Sequence, residues 1–148
     1  MTAKLVHSGL SIREKLRQVY NDLRNGRTDY VTSFCTEDCV FTILGNPLLN
    51  PYAGTWKGRH NIVRAHQAYF AELKPIDMLV EDMLTNDDKA MVHLHVTSEH
   101  VRSGMLIESE RCDIISVRDG LAYNIKCFFN SEATAIQMAT APVNPQKH

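Results

Sequence analysis

The sequence predicts an α+β domain in which two or three helices pack on one face of a long-stranded antiparallel sheet. Three observations support this prediction. Apolar residues recur at helical spacing in the first half of the chain, before Pro75. The segments that follow Pro75 are extended and rich in β-branched residues. The breaks between them carry Gly, Asn or Asp, which tight hairpins require.

The first helix is expected to begin after an N-cap at Ser11 and to end at Gly26, with residues 1–10 loose before it. Its apolar stripe consists of Ile12, Leu16, Val19 and Leu23, with Tyr20 beside them. A shorter helix is expected over residues 28–34 and a first strand over 39–44. Residues 45–54 contain two prolines and two glycines and therefore predict a loop.

A long helix is expected over residues 59–73, with Pro75 ending it. Its broad apolar stripe consists of Ile62, Val63, Tyr69 and Phe70, with His66 on the same side. Four strands then form an antiparallel meander over residues 76–85, 89–100, 105–118 and 121–130. Strands of this length curl, and a curled sheet roofed by helices encloses a cavity. We expect one domain over residues 11–137 and a disordered tail over 138–148.

Composition limits the classes of function. The 148 residues carry 16 Lys+Arg against 17 Asp+Glu, a net charge of −1, and 44% are hydrophobic. This balance is typical of one globular domain and argues against a general nucleic-acid binder. No apolar run is long enough for a transmembrane helix, and the polar start does not resemble a signal peptide. The four cysteines form no Cys-x-x-Cys pair, which indicates reduced thiols and a cytoplasmic location.

Five short motifs carry a family resemblance through their order and spacing. They are Asn25-Gly26, Phe-Cys-Thr-Glu-Asp-Cys-Val at 34–40, G-x-x-x-G-x-x-x-I at 54–62, D-x-x-x-x-x-x-G at 113–120 and Cys-Phe-Phe-Asn at 127–130. Together they resemble the nuclear transport factor two-like superfamily, and within it ketosteroid isomerase and the SnoaL-like polyketide cyclases. The resemblance implies a cone-shaped fold, with helices on a strongly curved antiparallel sheet that encloses a cavity.

The same resemblance implies cofactor-free acid/base chemistry (isomerase, cyclase or dehydratase) on an apolar, oxygenated small molecule. Carried over residue by residue, however, it supplies one acid and neither usual base. The isomerase's base falls at Thr42 and the cyclase's carboxylate at Cys127, so classical steroid isomerisation is not expected. The isomerase's oxyanion tyrosine falls near Val19, one step from Tyr20, and its second oxyanion donor falls at Asp113.

Strand alternation places His93 with His95 on one face of their strand, and Arg111 with Asp113 on one face of the next. The resemblance implies that both sets face the cavity. Asp113 is then the expected acid or oxyanion donor, and His93 or His95 the expected base. The expected pocket residues, besides these three, are Tyr20, Trp56, His66, Tyr69, Arg111, Ile125, Cys127 and Phe129.

Alternatives remain open for these residues. The two histidines could ligate a metal, with Asp113 or His66 as the third ligand, or be hydrogen-bonded on a polar strand face. Asp113 could simply form an ion pair with Arg111. The domain as a whole could bind a ligand without catalysis, or serve dimerisation with a filled cone. Neither a metal nor a cofactor is otherwise expected.

The other face of the sheet is expected to be apolar and to bind a second copy of the chain. Its predicted members are Val92, Leu94, Val96, Leu106 and Ile114, interrupted by Glu108, Glu110 and Lys126. An exposed apolar patch of this size is usually covered. A homodimer through this outer face is the usual solution in the resembled family. No nucleic-acid or membrane partner is expected.

Overall fold

The structure, a computed structural model, describes residues 10–140. Its first half contains two helices, a strand pair and a third helix. These are α1 (Ile12–Arg24), α2 (Tyr30–Ser33), β1 (Cys35–Leu44), β2 (Gly54–Lys57) and α3 (Arg59–Glu72). The second half contains β3 (Leu73–Thr85), β4 (Lys89–His100), β5 (Leu106–Arg118), β6 (Leu121–Phe129) and α4 (Ser131–Thr140). No helix within the described range is long and apolar enough to cross a membrane.

The strands form one curved sheet in the order β2-β1-β6-β5-β4-β3. The predicted meander of β3 to β6 is confirmed, because each of these strands pairs antiparallel with the next. β1 lies parallel to β6, and the short β2, which was not predicted, pairs antiparallel with β1. The helices pack on the sheet, so the predicted α+β fold is confirmed.

The helix α1 begins where the sequence predicts. The Ser11 hydroxyl accepts a hydrogen bond from the Glu14 N–H at 3.1 Å, which satisfies one of the free donors of the first turn. Gly26 takes a φ of 72° and turns the chain after the helix. The buried face of α1 packs on the sheet and consists of Leu16, Val19, Tyr20 and Leu23.

The inner face of β4 carries the apolar residues that were expected on the outer face. Val92 and Leu94 are fully buried and Val96 is nearly so. The register explains this, because Val92 pairs with Asp113 and His93 pairs with Cys112. Paired residues share a face, so the valine set lies with the buried Asp113 beneath the helices. The predicted composition of the outer patch is therefore wrong for Val92, Leu94 and Val96.

The largest differences from the predicted element boundaries are at β1 and at the start of β3. β1 begins at Cys35 rather than at residue 39, and a register shift separates Cys35 from Val40. α3 ends before β3 starts at Leu73, so Pro75 lies inside a strand. That strand is at the sheet edge, where proline is tolerated. β3 also has bulges between Pro75 and Asp77 and between Val80 and Asp82.

The helix α4 was not predicted. It packs on β5 beyond the end of β6, where the Glu108 backbone N–H and C=O bond the Gln137 side chain at 2.9 and 2.7 Å. Residues 138–140, which were expected to belong to a disordered tail, are helical. The remainder of that tail, residues 141–148, and the loose start, residues 1–9, lie outside the described residues.

Candidate functional site

Two adjoining pockets lie between the helices and the inner face of the sheet. The larger has a volume of about 50 Å³, which is room for roughly three to five water molecules. The smaller, about 10 Å³, lies beneath α1. Leu23, Phe41 and Arg111 line both. The cone is thus largely filled, with Arg111 at the junction of its two open parts.

An ion pair between the buried Asp113 and the partly buried Arg111 occupies this junction. The Arg111 guanidinium donates to both oxygens of Asp113, from Nε to Oδ1 and from Nη2 to Oδ2, each at 2.9 Å. The Tyr20 hydroxyl donates to Oδ2 at 2.7 Å. Asp113 is 2% exposed. Of the two alternatives for Asp113, this geometry matches the ion pair with Arg111, because the carboxylate accepts three hydrogen bonds and donates none.

The charge state of this group follows from its surroundings. Burial is the largest single influence and lowers the pKa of Arg111, but Asp113, Cys127 and Tyr20 together raise it by more, so the net shift is upward and the guanidinium stays cationic. Burial, and then the Asp113 charge, raise the pKa of Tyr20 well above its usual range. Tyr20 is therefore a neutral donor. Arg111 Nη1, on the guanidinium edge away from Asp113, has no hydrogen-bond partner within residues 10–140.

His66 lies in the larger pocket as a neutral imidazole. The Tyr30 hydroxyl is 2.7 Å from His66 Nε2, and the ring also bonds the Ile62 backbone. Burial, and then the positive charge of Arg111, lower the pKa of His66 to about 4. The ring sits among aromatic side chains, with centroid distances of 5.6 Å to Tyr30, 5.1 Å to Phe41 and 5.9 Å to Phe70.

Most of the predicted pocket residues do line the interior. His66, Tyr69, Arg111, Cys127 and Phe129 line the larger pocket, and Tyr20, Arg111 and Ile125 line the smaller. Burial raises the pKa of Cys127 far above its usual range, so it is a thiol rather than a nucleophilic thiolate.

Two further residues do not lie where the sequence placed them. Trp56 packs partly buried against the core from β2 and lines neither pocket. Thr42 does not line them either, and its hydroxyl is 3.3 Å from that of Thr55. Its neighbours Phe41 and Ile43 line the larger pocket instead.

The expected base is not in the pocket, because His93 and His95 lie on the opposite, outer face of the sheet. Their side chains are 47% and 31% exposed. His93 Nε2 is 2.6 Å from Glu110, and His95 is 3.1 Å from Glu110 and 3.0 Å from Glu108. We call these four residues the outer cluster. The prediction that they join Asp113 is wrong, since His93 pairs with Cys112 and side chains alternate along a strand.

Several pocket residues were not predicted from the sequence. Ser98 follows Val92, Leu94 and Val96 at a period of two and lies on the same inner face of β4. The sequence therefore predicts it as a pocket residue if that face is assigned to the interior. Asn50 is buried and comes from the loop before β2, where no periodicity exists to indicate it. Tyr30, whose hydroxyl bonds His66, belongs to a helix of only four residues, which is too short for apolar periodicity to indicate the direction of a side chain.

Solved structures with the same fold include two proteins assigned as polyketide cyclases and one complex with polyporic acid. IdmH from Streptomyces antibioticus, assigned as a polyketide cyclase, is 14% identical, with a TM-score of 0.74 over 88% of this chain and 100% of that chain. A protein from Jannaschia sp. CCS1, assigned as a SnoaL-like polyketide cyclase, is 13% identical, with a TM-score of 0.73 over 88% and 92%. TerC, co-crystallized with polyporic acid, is 16% identical, with a TM-score of 0.73 over 87% and 98%.

At these identities the structural likeness establishes the fold alone. No curated protein matches the chain in sequence. The sequence profile of the SnoaL-like domain matches residues 16–125, a range that runs from α1 to β6 and includes Tyr20, His66, Arg111 and Asp113. The chain therefore belongs to the SnoaL-like domain family.

Proposed function

We propose that this chain binds a flat, largely apolar, oxygenated small molecule in its interior pocket and moves a proton on it without a cofactor. The observation that carries the proposal is the partly buried Arg111, whose side chain is 16% exposed. Asp113 binds its Nε and Nη2, and Tyr20 binds Asp113, while Nη1 is left to face the pocket without a hydrogen-bond partner among residues 10–140. A carbonyl, enolate or phenolate oxygen of a ligand is a suitable acceptor for that N–H. A fixed cation in a site from which the bound ligand displaces water stabilises negative charge on such an oxygen.

His66 is the proposed proton carrier. It lines the same pocket as Arg111 and is uncharged near neutral pH, with a pKa of about 4. Nε2 is the acceptor nitrogen of the neutral ring, and the Tyr30 hydroxyl occupies it at 2.7 Å, so this hydroxyl has to turn away before Nε2 accepts a proton from a carbon next to a carbonyl. The electron pair of the broken C–H bond then moves to the oxygen that Arg111 binds, and that negative charge favours the imidazolium. Tyr30, which bonds Nε2, fixes the orientation of the ring.

Asp113 acts in this proposal through Arg111 rather than on the ligand. Its two oxygens are occupied by the guanidinium and by Tyr20, so it is a positioning residue. The sequence predicted Asp113 as an acid or oxyanion donor. In this proposal Arg111 is the oxyanion donor, and Asp113 holds it in position.

The pocket walls suit a ring system. Edge-to-face contacts link Tyr69 to Phe70 and to Phe129, with centroid distances of 6.2 and 6.4 Å. At about 50 Å³ the pocket needs some of these rings to move before a bicyclic ligand fits. The co-crystal of TerC with polyporic acid, in a protein of the same fold, supports an aromatic, oxygenated ligand class.

Exchange of ketone α-protons with solvent tests the proposal. We expect the protein to accelerate deuterium uptake into 2-tetralone, followed by NMR, and His66→Gln to abolish the acceleration while binding is retained. His60→Gln is the matched control, because His60 is exposed on the same helix. Acceleration that is unchanged in His66→Gln would refute the role of His66.

A second candidate function is ligand binding without catalysis. It is favoured by the absence of a carboxylate at the positions that carry the base in the resembled families, where β1 supplies Phe41 and Ile43 and β6 supplies Cys127. This candidate predicts that 2-naphthol raises Tm and that no ketone exchanges faster. The proton-transfer proposal predicts that 2-naphthol raises Tm and that ketone α-protons exchange faster.

We also propose that the protein is a cytoplasmic homodimer. The outer face exposes large apolar side chains, each between 42% and 67% exposed, which are Leu79, Leu84, Met91, Leu106 and Phe128. A second copy that covers this face would remove them from water. Free thiols at Cys35, Cys39, Cys112 and Cys127 agree with a reducing compartment. A sedimentation mass of one chain at micromolar concentration would refute the dimer.

A further inference from the structure

The outer cluster and one neighbouring side chain have the composition of a transition-metal site. Glu81 of β3 lies next to His95 and Glu110, and one ligand atom from each of the three lies within 4.8 Å of the other two. Two imidazoles and three carboxylates therefore share a small area of the outer face. None of them takes part in the interior pocket, so a metal site here is independent of the proposed proton transfer. It lies on the face that the proposed homodimer covers, between the exposed apolar side chains.

The sheet itself brings these side chains together. The β4–β5 register sets His95 directly opposite Glu110, and His93 lies two residues away on the same face. Glu81 falls at a β3 bulge, between Val80, which pairs with Leu94, and Asp82, which pairs with His93. Three neighbouring strands thus each supply at least one donor, and a paired sheet holds those donors with little freedom of the backbone.

The distances are close to those between ligands of a bound zinc ion. Glu110 already bridges the two histidines, at 2.6 Å to His93 and 3.1 Å to His95. Ligands that bind zinc at about 2.0–2.2 Å in a tetrahedron lie roughly 3.4 Å apart. The flexible Glu81 side chain covers the remaining difference, because it is exposed and is free to approach His95.

We propose that Glu81, His95 and Glu110 bind a divalent transition-metal ion, with zinc as the best match and His93 beside them as a fourth ligand. Imidazole nitrogen and carboxylate oxygen are ordinary zinc donors. The sequence offered His93 and His95 as metal ligands with Asp113 or His66 as the third. Both of those residues are in the interior, and the acidic partners lie on β3 and β5 instead.

Titration of the intact protein with Zn²⁺ by calorimetry tests this site. We expect one zinc ion per chain and an affinity at least tenfold weaker in His95→Gln and in Glu110→Gln. His60→Gln, which removes an exposed imidazole elsewhere, should leave the affinity unchanged. All three positions are partly or fully exposed, and equal Tm values without metal verify that the variants fold.

Co²⁺ provides a second readout that reports the ligand type. Nitrogen and oxygen ligands give visible d–d absorption without a thiolate-to-cobalt band, and this spectrum should disappear in His95→Gln. Cys112 is the decisive comparison, because it pairs with His93 and could bind metal through sulfur. Zinc affinity that survives His95→Gln and Glu110→Gln, or that is lost in Cys112→Ser, would overturn the proposal, as would no zinc binding.

Discussion

The strands β4 and β5 carry hydrogen-bonded charged groups on both faces of the sheet. Breaking such a group is expected to cost more free energy of unfolding on the inner face than on the outer face. On the inner face Asp113 is 2% exposed and bonds Arg111 at 2.9 Å. On the outer face Glu110 bonds His93 at 2.6 Å with 54% of its side chain exposed. The two hydrogen-bond distances are similar, but the inner pair is surrounded by protein and the outer pair by water. Breaking a buried pair leaves an uncompensated charge, whereas exposed groups turn to water.

Asp113→Asn is expected to have the largest effect, since it removes a carboxylate that is 2% exposed and leaves the Arg111 guanidinium, only 16% exposed, without its counter-charge. Removing one partner of a buried ion pair costs about 3–5 kcal/mol in the free energy of unfolding. At roughly 2–4 °C per kcal/mol, thermal unfolding should show a clear fall in Tm. The double variant Arg111→Met/Asp113→Leu should recover much of the loss. A single variant as stable as the native chain would contradict the comparison between the faces.

The pH dependence of stability isolates a second interior group, His66. Its pKa is about 4 in the folded state against about 6.5 in the unfolded chain. Between these values the unfolded state binds the proton and the folded state does not, so stability falls as pH drops from 6.5 towards 4. The difference amounts to about 3 kcal/mol.

Urea unfolding at several pH values measures this effect as the difference between the native chain and His66→Gln. We expect the native chain to lose stability more steeply than the variant between pH 6.5 and 4. Parallel curves over this window would show that His66 is not buried as a neutral ring.

Tyr20→Phe should have a smaller effect. It removes one hydrogen bond to the Asp113 carboxylate but leaves both bonds from Arg111. Hydrogen bonds to charged groups contribute about 1.5–3 kcal/mol. Chemical denaturation measures the loss, and Tyr123→Phe, at a partly exposed tyrosine of β6, is the control. A loss as large as that of Asp113→Asn would mean that Tyr20, rather than Arg111, holds the carboxylate.

Glu110→Gln is expected to have the smallest effect on stability, with no measurable change in Tm without metal. The variant should instead change the pKa of His95. The hydrogen bonds that the His95 ring donates to Glu110 and then to Glu108 raise the pKa of His95, so NMR titration should find that pKa lower in Glu110→Gln. A fall in Tm similar to that of an interior variant would show that the two faces do not differ as described.

The sequence predicted the parts of the fold that depend on local periodicity. The α1 stripe and N-cap, the β3–β6 hairpins and the loop before β2 all follow from residue spacing and turn chemistry. The parallel pairing of β1 with β6 did not follow, since it joins segments that are distant in sequence. Neither did α4, which is held by Gln137 on the Glu108 N–H and C=O, at the side of β5 that β6 does not reach.

Local periodicity also predicted part of the site. Alternation correctly grouped Arg111 with Asp113 and His93 with His95, but a period of two does not say which group faces inward. The resemblance placed both groups in the cavity. The apolar run of Val92, Leu94 and Val96 decides the question, because these side chains are the ones that the helices must cover.

The irregular pairing of β3 protects this protein from assembling into extended sheets. A long regular edge strand offers a row of free N–H and C=O groups that recruits strands from other molecules. In β3, Pro75 has no N–H, and the N–H groups of Met78 and Met83 bond the side chains of Asp77 and Asp82. The two bulges interrupt the remaining row. A 13-residue edge is thus a poor template for the addition of further strands.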